Sequence, residues 1–168
     1  MFELLPLPSR IGFFAFLGSS ALLAGALYFQ YVEHLRPCEM CLWQRYPHAV
    51  AIVVGLFAVA SFAYPRLALV FALLAITALL VTSGIGVFHF GVEQHWWQGP
   101  RHCTGAIPSG LSPEQLKKYL LSTQMVRCDL PAWELWSISM AGWNAILSGG
   151  LGLVLAVGVA VHIKGGQE

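Results

Sequence analysis

An all-α fold, an integral membrane bundle of four helices in one domain over residues 1–168, is what the sequence predicts. Three observations carry it. The chain is 57% hydrophobic and only 10% charged, where a soluble domain averages about 25% charged; so few charges cannot make a water-facing surface. Four apolar runs are long enough to cross a hydrocarbon core of roughly 30 Å, which takes about 20 residues of helix. Small residues (Gly18, Ser19, Ser20, Gly84, Gly86, Gly149, Gly150) recur inside those runs, as expected where helices approach closely in lipid. The net charge of +1 offers nucleic acid no basic surface, and no linker, repeat or low-complexity stretch divides the chain.

The first run extends over about 11–32 and is uncharged until Glu33. Arg10 before it and Ala24-Gly25-Ala26 within it resemble a cleavable signal. The run exceeds the usual h-region of about 7–15 residues, so it is expected to stay as a spanning helix. The second run, about 47–64, is near the short limit. The third, about 67–90, is interrupted only by small residues and His89, and the fourth, about 138–163, carries Asn144. Helices with their backbone bonds satisfied internally are what a bilayer permits.

The connections are unequal. Pro65-Arg66 is nearly all that joins the second run to the third, whereas loops of about 33–46 and 91–137 join the others. An even number of spans puts both long loops on one face, and all four cysteines, Cys38, Cys41, Cys103 and Cys128, lie in those loops. Arg10, Arg66 and Lys164 sit on the terminal face; Arg36, Arg45, Arg101, Lys117, Lys118 and Arg127 sit on the loop face. Taken literally, the positive-inside rule turns the loops toward the cytoplasm, but long loops translocate largely regardless of charge. Disulfides persist only in oxidising compartments, so the cysteines are taken to set the orientation.

The cysteines form two pairs. Cys38-Glu39-Met40-Cys41 is a CxxC at the membrane boundary, where a helix N-terminus and nearby cations lower thiol pKa values. Arg45, four residues after Cys41, shares its face if the segment is helical. Pro47 biases Tyr46 away from helical geometry, so a helix starting at Pro47, with Cys41 and Arg45 in a turn, is equally open. A CxxC is also half of a metal site or an inert bridge. The second cysteine pair, however, lacks CxxC spacing, which favours redox chemistry over zinc or copper. Cys103 and Cys128 bracket a stretch in which Ser112-Pro113-Glu114-Gln115 reads as a helix start with a capping box. Leu116, Tyr119, Leu120 and Thr123 then give a short amphipathic helix on the membrane surface. A bridge between Cys103 and Cys128 is either a staple for the loop or a mobile, exposed disulfide open to an outside thiolate. Two disulfides on one face suggest a relay, the outer taking electrons from a soluble dithiol and the inner passing them to a two-electron acceptor in the lipid.

The run Phe29-Gln30-Tyr31-Val32-Glu33-His34-Leu35-Arg36-Pro37-Cys38-Glu39-Met40-Cys41-Leu42-Trp43-Gln44-Arg45 resembles the signature of the disulfide bond formation protein B family, DsbB. The four-span layout and the second cysteine pair extend the resemblance along the chain. It implies a protein-dithiol:quinone oxidoreductase of the bacterial inner membrane, multi-pass, with its active site facing the periplasm. Its partners would be a DsbA-like periplasmic thiol oxidase and membrane ubiquinone or menaquinone. Cys103, paired with Cys128, would be attacked by reduced DsbA. Cys128 would exchange with Cys38, and Cys41 would be the thiolate against the quinone, assisted by Arg45. The family also places a quinone-proximal residue near the end of the third helix, where His89, Glu93 and His95 compete. His95-Trp96-Trp97, like Trp133 and Trp136, also reads as part of an aromatic interface belt. Rival readings are an oxidase for one dedicated client, a soft-metal membrane protein, and a structural subunit with two inert bridges.

Overall fold

The structure, a computed structural model, describes residues 5–100, 103, 110, 112–115, 117 and 126–165. Four long helices, α1 (Leu7–Tyr31), α2 (Glu39–Ala60), α3 (Pro65–Glu93) and α4 (Met140–Gly165), make up nearly all of it. Each is long and apolar enough to cross a membrane, in agreement with the expected all-α membrane bundle. Pro8 falls in the first turn of α1 and Pro65 opens α3, positions where a missing N–H costs nothing.

α1 and α2 meet almost backbone to backbone. A Cβ on Gly12 would lie 2.4 Å from the Ala58 Cβ, and one on Gly55 would lie 2.7 Å from the Gly12 carbonyl. Ser9 Oγ donates to the Ala58 carbonyl across this seam at 3.0 Å. The surrounding core is small-residue packing: Ala15, Ala51, Ala58, Ala72 and Ala75 are fully buried with Ile11, Ile76 and Leu155 close beside them. α3 and α4 approach in the same way at Gly86, where a Cβ would sit 2.9 Å from the Ala141 carbonyl.

Several boundaries depart from the sequence reading; α1 begins at Leu7 rather than near residue 11, and α2 ends at Ala60 rather than near 64. α2 begins at Glu39, not near residue 47, with Pro47 inside the helix. Proline frees a carbonyl one turn earlier, and membrane helices tolerate this when a neighbouring hydroxyl serves the loosened turn. The carbonyl that Pro47 leaves without its helix donor is that of Trp43; the next one, that of Gln44, accepts from Thr82 Oγ1 on α3 at 2.9 Å. α4 begins at Met140, after a two-stranded hairpin, β1 (Glu134–Leu135) and β2 (Ile138–Ser139). Its turn residues Trp136 and Ser137 both have left-handed φ, 54° and 61°, as a type I′ turn requires. α3 ends in a Schellman motif: Trp96 N–H donates to the Gly91 carbonyl at 2.9 Å and His95 N–H to the Val92 carbonyl at 3.1 Å. His95 takes the left-handed position (φ 58°) that glycine usually fills.

In the second loop, the Gln115 N–H donates to Ser112 Oγ at 3.3 Å and the Ser112 N–H to Gln115 Oε1 at 3.0 Å. This is the reciprocal capping box expected there, and residues 113–115 and 117 are helical. The remainder of the expected amphipathic helix lies outside the described residues.

Candidate redox centre

Cys38 is the N-cap residue of α2, and its sulfur accepts the Cys41 N–H at 3.2 Å. One helical turn brings the two sulfurs to 2.8 Å, with Cys38 as donor and both present as free thiols. The hydrogen bond to Cys41, and then burial, push the Cys38 thiol well above the ordinary range. Cys38 therefore keeps its proton and lends it to Cys41. Cys41 sits in the first turn of α2, where unpaired amides favour negative charge.

Cys103 and Cys128 form a disulfide with Cα atoms 5.3 Å apart, and the Cys128 N–H donates to the Cys103 carbonyl at 2.8 Å. The bridge, read from sequence as either a loop staple or an exposed disulfide, is buried, Cys103 at 4% and Cys128 at 0% exposure. The reason is local: both pack with Cys38, Met40 and Val92 in one small apolar cluster. Arg127, next to Cys128 in the chain, is committed to Asp129 through Nε at 2.8 Å and a second bond at 2.5 Å. Arg101 and His102 lie outside the described residues.

The two pairs converge on α3. The donor atoms of Cys38, His89 and Cys128 lie within 4.8 Å of one another; His89 Nε2 is 3.5 Å from the Cys38 sulfur, and the ring also contacts the Cys128 backbone. Such a spacing suits a soft metal, but the Cys128 sulfur is bonded to Cys103, and it is the thiolate that ligates. Glu93, one turn beyond His89, places Oε1 3.6 Å from His89 Nε2 and accepts from Ser139 Oγ. His89 Nδ1 accepts from Gln44 Nε2 at 2.9 Å, and Gln44 Oε1 accepts from Asn144 Nδ2 at 2.7 Å. Asn144 in turn meets His48 at 2.9 Å.

On the opposite side of α2 a cavity of about 350 Å³ opens between α1, α2 and α4. Cys41, Gln44, Arg45 and His48 form its α2 wall, Ala26, Phe29 and Gln30 its α1 wall, and Trp143, Asn144 and Leu147 its α4 wall. The Phe29 and Trp133 rings meet at 4.9 Å along it. Arg45 is anchored by Gln30 Oε1 and by the Ala26 carbonyl at 3.4 Å, while its Nε has no partner among the described residues.

The structure thus brings Cys38, Cys41, Cys128, His89 and Glu93 together, with Cys41 and Arg45 facing the cavity. His89 and Glu93, read as candidates for quinone contact, are not among the cavity's lining residues. They stand behind Cys38, because α3 packs on the other side of α2. His95 is exposed and serves as the helix terminator described above. Gln44, Thr82 and Ser139 were not singled out from sequence. The available signal was polarity at helical spacing, Gln44 with His48 as His89 with Glu93, since polar side chains inside spans are expensive unless used.

The sequence matches the family described as Disulfide bond formation protein DsbB over residues 8–158. The chain belongs to the DsbB family. It is 30% identical over 149 residues to Disulfide bond formation protein B of Dechloromonas aromatica (strain RCB), covering 80% of this chain and 82% of that one. It is 28% identical over 165 residues to the protein of that name from Shewanella sp. (strain ANA-3), covering 95% and 92%. Over 60 residues, 35% of this chain and 36% of the relative, it is 51% identical to the one from Polaromonas naphthalenivorans (strain CJ2). No solved structure matches. As a DsbB-family chain with four membrane-capable helices it is a multi-pass membrane oxidoreductase acting on disulfides.

Proposed function

We propose that this DsbB-family protein reoxidises a DsbA-like dithiol protein in the bacterial periplasm and delivers the electrons to ubiquinone or menaquinone in the inner membrane. The observation that carries the reading is the position of Cys41. It lies one helical turn from a thiol that meets the outer disulfide, and it also lines a mostly apolar cavity beside an arginine.

The site residues divide the work as follows. A thiolate of the dithiol partner attacks Cys103, and Cys128 leaves as a thiolate. When Cys38 and Cys41 are joined, Cys128 attacks Cys38, its neighbour within 4.8 Å, and Cys41 leaves as a thiolate held at the α2 N-terminus. The partner's second thiol releases it from Cys103, and Cys103 then displaces Cys38 from Cys128. This restores the outer disulfide and leaves Cys38 and Cys41 reduced, the arrangement seen here. A quinone held in the cavity beside Cys41 and Arg45 would supply the two-electron acceptor, and both electrons and both protons of that dithiol would pass to it as the Cys38–Cys41 disulfide forms. The cavity fits such a ring: its volume lies in the range of small-molecule sites, its walls are largely apolar, and Cys41 and the cation Arg45 both line it.

The test is quinone reduction by the purified protein in detergent, with a reduced DsbA-type protein as donor. The wild type is expected to turn over. Cys41→Ser is expected to fall to the uncatalysed rate while keeping the Cys103–Cys128 disulfide. Normal turnover by Cys41→Ser would overturn the relay. Stoichiometric bound zinc or copper with no turnover would favour a metal protein.

A further inference from the structure

Two N–H groups converge on the Cys38 sulfur, and the side chains behind one of them fix where its hydrogen sits. Thr82 Oγ1 has a single hydrogen, which it gives to the Gln44 carbonyl at 2.9 Å. Toward Asn144 Nδ2, 3.1 Å away, it can therefore only accept, so Asn144 presents its nitrogen on that side. The same nitrogen donates to Gln44 Oε1 at 2.7 Å. Gln44 thus turns its own nitrogen to the Met40 carbonyl at 3.3 Å and to His89 Nδ1 at 2.9 Å. An amide nitrogen only donates. His89 Nδ1 must accept, and the neutral ring carries its hydrogen on Nε2.

That Nε2 lies 3.5 Å from the Cys38 sulfur. Cys38 gives its own hydrogen to Cys41, so toward His89 the sulfur is the acceptor. The Cys41 backbone N–H reaches the same sulfur at 3.2 Å. Among the described residues, the titratable groups that meet Cys38 are Cys41 on its own helix, His89 and Glu93 on α3, and Cys128 in the second loop. Of their side chains only His89 offers an N–H. Burial disfavours a charge on a group such as Cys38, and fixed donors aimed at the place where charge develops are what offsets it.

We infer that His89, held as a donor by Gln44, is a catalytic residue of the exchange between the two cysteine pairs, its Nε2–H stabilising Cys38 as the leaving thiolate. The inference rests on the relay proposed above and concerns its last thiol step. Cys103 attacks the Cys128 sulfur of the Cys38–Cys128 bridge. The Cys103–Cys128 bond forms, the Cys38–Cys128 bond breaks, and its electron pair goes to Cys38, where both N–H groups already point. The hydrogen that Cys38 finally carries is the one lost by the partner's second thiol. Gln44 is a positioning residue that sets the tautomer of the ring. His89 is absent from the cavity wall, so its part in the reaction is separate from quinone binding.

The experiment has two arms, both on the full-length chain in detergent. In the first, Cys41, Cys103 and Cys128 are replaced by Ser, and alkylation of Cys38 by iodoacetamide is followed against pH. Adding His89→Phe should raise the midpoint by about one pH unit, the scale of a hydrogen bond to a charged group. Gln44→Met should raise it by less, because the ring is then free to take either tautomer. In the second arm the unaltered chain, oxidised and freed of quinone, is mixed with a stoichiometric amount of a reduced DsbA-type protein. Acid quenching and mass-tagging of thiols then follow transfer from the outer pair to Cys38 and Cys41. His89→Phe should slow that transfer about tenfold, while affinity for a short-chain benzoquinone stays within about twofold. An unmoved midpoint in either variant, or transfer at the parent's rate in His89→Phe, overturns the inference. Quinone affinity lost in step with transfer would place His89 in the cavity's chemistry and overturn it equally. A parent that passes nothing to Cys38 and Cys41 overturns the relay itself.

Discussion

At the end of the bundle nearest the termini, α1 and α2 meet through Gly12, Gly55 and Ala58, whereas at the cysteine end α2, α3 and α4 meet through Gln44, His48, Thr82, His89 and Asn144. Lipid gives helices little hydrophobic reason to associate, so close van der Waals approach and interhelical hydrogen bonds are the two means available. The first end uses mainly the former, with Ser9 as a single polar stitch. The second uses the latter, at a desolvation cost met by pairing nearly every polar atom. The exceptions in the cavity wall are Arg45 Nε and His48 Nδ1.

That contrast predicts where substitutions act. The largest effect after loss of a cysteine is expected at Arg45. Arg45→Met removes the one cation of the α2 cavity wall, and a hydrogen bond to a charged group contributes about 1.5–3 kcal/mol. The KM for quinone should rise about tenfold to a hundredfold, while the rate at which the reduced partner opens Cys103–Cys128 stays within about twofold. Equal losses in both steps, measured by steady-state kinetics and by trapping of the mixed disulfide, would remove Arg45 from the cavity chemistry.

Next in size is the packing seam. Gly55→Leu puts a side chain where even a Cβ would lie 2.7 Å from the Gly12 carbonyl. Backbone on the other side cannot yield as a flexible side chain does, and overpacking of this kind costs about 1–3 kcal/mol. The variant should unfold earlier in a mixed-detergent titration yet show an unchanged KM for quinone. Gly86→Ala, at 2.9 Å from the Ala141 carbonyl, should disturb both measurements, because Ala141 also lines the cavity. If Gly55→Leu raised KM as much as Gly86→Ala, the two ends would not be separable.

How much of this the sequence discloses follows the same division. The four spans are legible because a bilayer demands long apolar runs. The CxxC is legible because its spacing is local, as is the Ser112 capping box. Pro47 misled the start of α2, because a proline inside a helix is tolerated where neighbouring helices pack around it in a bilayer. That His95 terminates α3 could not be read, since the left-handed φ that gives it this role is invisible in a residue type that is not glycine. The burial of Cys103–Cys128, and the separation of His89 and Glu93 from the cavity, depend on which face of α2 meets α3. Apolar periodicity says little about that in helices hydrophobic all round.

The smallest effect concerns Asp129, the residue after Cys128. Arg127 beside it, through its hydrogen bonds and charge, holds the Asp129 carboxyl below its ordinary range. A carboxylate depressed in this way contributes its full share above the usual carboxylate range and loses it as pH falls through the lowered value. Both partners are solvent-accessible, at 49% and 14% side-chain exposure, so the contribution is modest. Asp129→Asn is expected to speed reduction of Cys103–Cys128 by a water-soluble phosphine about twofold at neutral pH. The wild type should reach the variant's rate only in acid, below the ordinary carboxylate range. A wild-type rate indifferent to that acid step, with Asp129→Asn indistinguishable at neutral pH, would show that packing against Cys38, Met40 and Val92 holds the outer disulfide by itself.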